Sequence, residues 1–137
     1  MCGILINISK NPDSTFFESI LKEINHRGPD DSGIYKGDNI ILGHTRLSII
    51  DTSNAGHQPM ESSCGRYIIV YNGEIYNFKE IRLELEALGC KFKSTSDTEI
   101  LLASYAIWGV DCLSRFNGMF AFVIYDRKDH VVFIARD

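Results

Sequence analysis

The chain has 137 residues, 45% hydrophobic and 23% charged, an ordinary composition with enough length for one domain and a real core. A formal charge of -4 without a Lys/Arg cluster argues against nucleic acid or an anionic membrane surface as the partner and favours a small molecule. No apolar run approaches the ~18 residues of a membrane span, the start lacks a signal peptide's basic residues, and the cysteines and histidines lack disulfide or metal spacing, which leaves a cytoplasmic, metal-free chain with reduced thiols.

In chain order, Met1-Cys2-Gly3 comes first. Removal of Met1 would leave Cys2 with a thiol and a free α-amino group, a nucleophile carrying its own base. The plain alternative is a chance cysteine ahead of a buried strand over Gly3 to Ile8. Thr15-Phe16-Phe17-Glu18 has the spacing of a capping box, and Phe17, Ile20, Leu21 and Ile24 give the following helix one apolar face. That helix is expected to stop at Arg27, with Gly28 as a left-handed cap and Pro29 beyond it. Ser32 to Lys36 and Ile40 to Gly43 read as a hairpin around Gly37-Asp38-Asn39, with extended chain continuing over Leu47 to Ile50.

Asp51 to Arg66 is polar, without useful periodicity, and reads as a loop bordering a site. Tyr67 to Tyr71 is a buried strand by its continuous apolar run. A helix is expected from Phe78 to Leu88, capped by Asn77, with Ile81, Leu85 and Leu88 as its buried stripe and Gly89 as its stop. Ser96-Asp97-Thr98-Glu99 opens another helix running to Trp108 and Gly109. Two strands, Met119 to Tyr125 and Val131 to Ala135, close the sequence. Ending directly after a strand, the chain reads as a piece of a longer protein. An unpaired sheet edge there would favour association into homo-oligomers.

Three positions allow two readings each. Asn72-Gly73 is a tight turn, or an amide beside an unhindered N–H placed as two oxyanion donors. Arg46 satisfies loop carbonyls, or offers its planar fork to a substrate carboxylate. Asp97 is a favourable charge in the first turn of a helix, or faces a substrate ammonium while Ser96 does the capping.

The blocks Met1-Cys2-Gly3-Ile4, His26-Arg27-Gly28-Pro29-Asp30, Arg46-Leu47-Ser48-Ile49-Ile50-Asp51, Tyr71-Asn72-Gly73-Glu74-Ile75-Tyr76-Asn77, Ser96-Asp97-Thr98-Glu99 and Gly118-Met119-Phe120-Ala121-Phe122 resemble, in order and over the whole chain, the N-terminal glutaminase domain of glutamine-hydrolysing asparagine synthetases. The resemblance implies an α+β fold, the four-layer αββα sandwich of N-terminal nucleophile hydrolases, with residues 1–137 an incomplete amidotransferase domain. It implies that Cys2 attacks the side-chain amide of glutamine, with Asn72 and the Gly73 N–H as oxyanion hole. Arg46 would hold the α-carboxylate, the backbone of Leu47, Ser48, Ile49 and Ile50 would shape the pocket, and Asp97 with Glu74 would receive the α-amine. His26 to Asp30 becomes a loop beside the pocket, without a catalytic role. No cofactor is implied for this domain, whereas ATP and magnesium are expected in a C-terminal synthetase domain, the natural partner. The acceptor could instead be another carboxylate, such as a sugar acid. With Met1 retained, the chain would be a non-catalytic module that binds glutamine or a partner.

Overall fold

The computed structural model describes residues 1–48 and 53–137, so the expectations for Ile49 and Ile50 lie outside the described residues. Strands β1 (Gly3–Ile8), β2 (Asp31–Lys36) and β3 (Ile40–Arg46) form an antiparallel sheet in the order β1-β3-β2, with Gly3 opposite Thr45 and Asp31 opposite Arg46. Strands β4 (Met60–Glu61), β5 (Tyr67–Ile75), β6 (Gly118–Asp126) and β7 (Val131–Arg136) form a second antiparallel sheet in that order. Ile68 and Val70 on one face of β5 meet Ile40 and Leu42 of the first sheet, together with Val123 and Tyr125. Ile69, Tyr71 and Ile75 on its other face meet helices α2 (Phe78–Ala87) and α3 (Asp97–Trp108) through Ile81, Leu85, Ile100 and Leu101. Burial on both faces is why β5 reads as a continuous apolar run instead of an alternating one.

Helix α1 (Ser14–Glu23) lays Phe17 and Leu21 over Gly43 of β3, where a Cβ would come within 2.7 Å of the Phe17 ring. The layers are therefore helix, sheet, sheet, helix, the αββα order expected. β7 closes the second sheet as its edge, with Val131 and Ile134 about half exposed or more (51% and 60%).

Several local expectations fail, each for a tertiary reason. α1 is capped by Asp13, whose side chain accepts from the Phe16 N–H at 3.0 Å, while Glu18 turns outward to pair with Lys36 at 2.9 Å. The helix ends at Glu23, and a 3-10 turn over Asn25–Arg27 carries the chain to Gly28, which is extended (φ -155°) and not left-handed. Glycine is required there because a Cβ would collide with the Thr45 backbone. Strand β3 ends at Arg46, so Leu47 and Ser48 do not continue it. The stretch after residue 52 holds a 3-10 turn (Asn54–Gly56) and β4, too short to leave a sequence pattern.

Asn77 makes no capping bond; its amide bridges the Arg115 carbonyl and the Asn117 N–H instead. Leu88 is 59% exposed, outside the stripe formed by Ile81 and Leu85. Ser96 does cap α3 by accepting from the Thr98 N–H at 3.1 Å, but Glu99 binds the N–H groups of Lys93 and Ser94, so the capping box is not closed. A final 3-10 segment, Gly109–Arg115, leads from α3 into β6. The largest difference concerns Asn72-Gly73: β5 runs straight through both residues to Ile75, so no turn forms there.

Candidate active site

The register of β1 against β3 decides where the first thiol lies. With Gly3 opposite Thr45, Cys2 sits beside the end of β3, and its Sγ accepts from the Leu47 N–H at 3.4 Å and reaches the Leu47 carbonyl at 3.7 Å. Arg27 braces the same residue by donating from Nε to the Cys2 carbonyl at 3.1 Å, and Asp30 accepts from the Ser48 N–H at 2.8 Å. The loop His26 to Asp30 therefore supports the thiol's backbone without lining the adjoining cavity. That cavity, about 420 Å³, is lined by Cys2, Arg46, Leu47, Asn72, Gly73, Glu74 and Asp97 from among the expected residues. Ser48 does not line it, and its N–H is committed to Asp30.

The pleat of β5 determines which backbone groups face this cavity. Tyr76 donates to the Asn117 carbonyl at 2.7 Å, in register with the β5–β6 ladder, so even-numbered residues bond to β6 and odd-numbered ones face away. The N–H groups of Tyr71, Gly73 and Ile75 thus share one edge. Tyr71 N–H is taken by Gln58 Oε1 at 2.6 Å, and Ile75 N–H by Asp97 Oδ2 at 3.1 Å. Between these two side-chain caps the Gly73 N–H is directed at the cavity that Gly73 lines. A Cβ on Gly73 would collide with the Met119 carbonyl of β6, so the close pairing that presents this N–H excludes any larger residue.

Asp97 is 4% exposed, and its Oδ2 also accepts from the Tyr71 hydroxyl at 2.7 Å. Burial raises its carboxyl above the usual range, and the bonds from Tyr71 and Ile75 work in the opposite direction. Arg46, 8% exposed, donates from Nη1 to the Ser53 carbonyl at 3.0 Å. The cavity lining thereby brings the Arg46 guanidinium and the Asp97 carboxylate, each steered by the protein, together with Cys2 and the outward Gly73 N–H.

Sequence reasoning missed several contributors. Gln58, Tyr71 and Thr98 line the cavity, and Gln58 ties the other two together through Tyr71 N–H and Thr98 Oγ1. Behind them His44 is fully buried and donates from Nε2 to the Tyr71 carbonyl at 2.9 Å, while its Nδ1 has no partner among the described residues. Burial, helped by Arg46, lowers its pKa to about 4 against the opposing bond to Tyr71. Because the folded value lies below the ordinary 6.5, the unfolded chain takes up the proton first as pH falls. Stability present above about pH 6.5 should therefore decline toward pH 4, by roughly 3 kcal/mol from this group alone. His44→Gln, which cannot titrate, is expected to flatten the dependence of Tm on pH in that window. Parallel curves for parent and variant would show that His44 is not the group responsible.

Residues 1–137 match the glutamine amidotransferase domain family. Asparagine synthetase [glutamine-hydrolyzing] 1 of Bacillus subtilis is 43% identical over 143 residues, covering all of this chain and 22% of that protein. Asparagine synthetase B of Escherichia coli is 46% identical over 112 residues, covering 82% of this chain and 20% of that protein. The chain thus spans about a fifth of the length of these curated relatives. The glutamine phosphoribosylpyrophosphate amidotransferase of B. subtilis, solved with ADP and GMP, superposes with a TM-score of 0.77 at 21% identity, over 98% of this chain and 37% of that one, which shows a shared fold. No helix among the described residues is long and apolar enough to cross a membrane, and no group of three or more His, Cys, Asp or Glu among them could hold a metal ion.

Proposed function

Because the chain belongs to the glutamine amidotransferase domain family, we propose that Cys2, once Met1 has been removed, hydrolyses the side-chain amide of glutamine to glutamate and ammonia. The observation that carries this reading is that Cys2, Asn72 and Gly73 line the same cavity. Sulfur attacks the amide carbon while the freed α-amine of Cys2 takes the thiol proton. The oxyanion that forms is held by the Asn72 amide and the Gly73 N–H. The C–N bond then breaks, the α-ammonium returns its proton to the departing nitrogen, and ammonia leaves a thioester. Water, giving a proton to the α-amine, attacks the thioester carbon; the C–S bond breaks, glutamate leaves, and the α-ammonium returns the proton to the Cys2 sulfur.

Arg46 grips the α-carboxylate, and Asp97 with Glu74 receives the α-amine, with backbone near Leu47 shaping the pocket. An arriving ammonium also offsets the burial that disfavours the Asp97 carboxylate. Binding both α-substituents leaves only the amide end free to approach sulfur, which is how orientation enters the rate.

The similarity to asparagine synthetases supports a further assignment: residues 1–137 are part of a glutaminase domain in a cytoplasmic enzyme. There the ammonia would meet aspartate in an ATP- and magnesium-dependent synthetase domain. Met1 favours a second reading. It lines the cavity beside Cys2, and while it is attached the Cys2 nitrogen is an amide with no basicity, leaving a module that binds glutamine without turning it over.

Ammonia release from glutamine by Met1-free protein tests the main reading, with Arg46→Ala as its probe of substrate grip. The variant is expected to raise the glutamine KM by roughly 10-fold or more, the loss of a charge-assisted bidentate contact, with little change in Tm. A large fall in Tm with unchanged KM would make Arg46 a structural residue.

A further inference from the structure

We propose that Gln58 is a positioning residue for the oxyanion site, holding the Asn72 amide and the Gly73 N–H at the cavity through the backbone of Tyr71; the proposal rests on the reading of Cys2 as a glutaminase nucleophile. In the β4–β5 register, Met60 lies opposite Ile69 and the Ser62 N–H donates to the Tyr67 carbonyl at 2.9 Å. Two residues further along, that register would set the backbone of Gln58 against Tyr71. The chain leaves the ladder instead: the Gln58 carbonyl packs against β2, so closely that a Cβ on Gly33 would collide with it.

The side chain of Gln58 stays behind to complete the ladder. Its Oε1 accepts from the Tyr71 N–H at 2.6 Å, and its Nε2 donates to Thr98 Oγ1 at 3.3 Å. Gln58 is 4% exposed, so water cannot easily replace either bond. Thr98 is next to Asp97, which caps the Ile75 N–H, so both side chains flanking Gly73 are anchored at the start of α3. A backbone partner at Tyr71 extended one step further would have covered the Gly73 N–H as well. The side-chain substitute ends the ladder one donor early, and that donor is the one catalysis uses.

Without Gln58 the Tyr71 N–H is buried with no acceptor, and the segment carrying Asn72 and Gly73 must shift to find one. A displacement of about 1 Å at an oxyanion donor costs about 10²-fold in rate, whereas Arg46, which holds the α-carboxylate, is untouched. The expected signature is therefore a loss in kcat with KM preserved.

The test uses full-length, Met1-free protein and the near-isosteric Gln58→Met, with glutamine turnover measured beside alkylation of Cys2 by iodoacetamide, a displacement at a methylene that forms no oxyanion. Gln58→Met is expected to lower kcat about 10- to 100-fold, with KM and the alkylation rate each within about 3-fold of the parent. Added to Asn72→Ala, it should cost less than it does in the parent but still lower kcat measurably, because only the Gly73 N–H remains to be displaced. A kcat within about 3-fold of the parent, an equal loss of alkylation, or a raised KM at unchanged kcat each overturns the inference while leaving the glutaminase reading intact. A parent that releases no ammonia overturns the glutaminase reading and this inference with it. If Gln58→Met does not fold, Thr98→Val, which releases the other end of the amide, must show the same pattern at smaller size; an unchanged kcat there is equally contrary.

Discussion

Cys2→Ser is expected to lose glutamine turnover by on the order of 10³-fold or more while still binding glutamine, because a hydroxyl is a far weaker nucleophile than a thiol under a base as weak as an α-amine. Cys2→Ala should match it, which separates chemistry from binding. The site supports the separation: the groups assigned to the α-substituents, Arg46 and Asp97, stand on β3 and α3, and neither takes its place from the Cys2 side chain. Free glutamate or glutamine should therefore still raise the Tm of both variants. Turnover retained within about 10-fold in Cys2→Ala would transfer the chemistry to another group. An electrophilic glutamine analogue provides the complement and should label Cys2 while sparing Cys64, Cys90 and Cys112. Of these, Cys112 is fully buried and burial raises its thiol pKa to about 11, so it is both inaccessible and protonated.

Asn72→Ala is expected to lower kcat by about 10²- to 10³-fold with KM little changed, the loss seen when one donor to a developing oxyanion is removed. The remaining donor, the Gly73 N–H, belongs to the backbone and survives any side-chain change at position 72. The residual rate in Asn72→Ala thus measures what that N–H supplies together with binding. A comparable rise in KM would instead place the Asn72 amide on the ground-state substrate.

Much of the layout was legible because its signals are local. Ser96 caps α3, Gly109 (φ 58°) ends it, and Gly89 (φ 92°) follows α2, each through chemistry within a few residues. The αββα order came from a resemblance, and the two sheets with their helix layers agree with it. The capping-box spacing of Thr15 and Glu18 pointed to the wrong cap: Asp13 takes the Phe16 N–H, and Glu18 pairs with Lys36, 18 residues on in sequence. Asn72-Gly73 looked like a turn because turn chemistry is also local, whereas its extended state is imposed by β6, more than 40 residues on in sequence.

The site divides along the same line. Cys2, Arg46, Asn72, Gly73, Glu74 and Asp97 stood out because their neighbours form recognisable blocks, and all six line one cavity. Gln58 and His44 carried no such signal. Each acts through a hydrogen bond to Tyr71, at separations of 13 and 27 residues, and nothing about an isolated Gln or His in an apolar or polar run announces that bond. Ordinary residue types that complete a strand edge or join two sheets become visible only when the sheets are assembled.

Whether the freed α-amine of Cys2 is the base for its own thiol is decided by comparing two preparations of one sequence, with and without Met1. Intact mass establishes which form is present, and ammonia release from glutamine is then measured for each at equal concentration. The Met1-free form should turn over glutamine, and the Met1-bearing form should be inactive with every side chain still in place, since its Cys2 nitrogen is an amide that cannot take a proton. Equal rates for the two forms would rule out the α-amine as the base, because the thiol would then be activated by some other group.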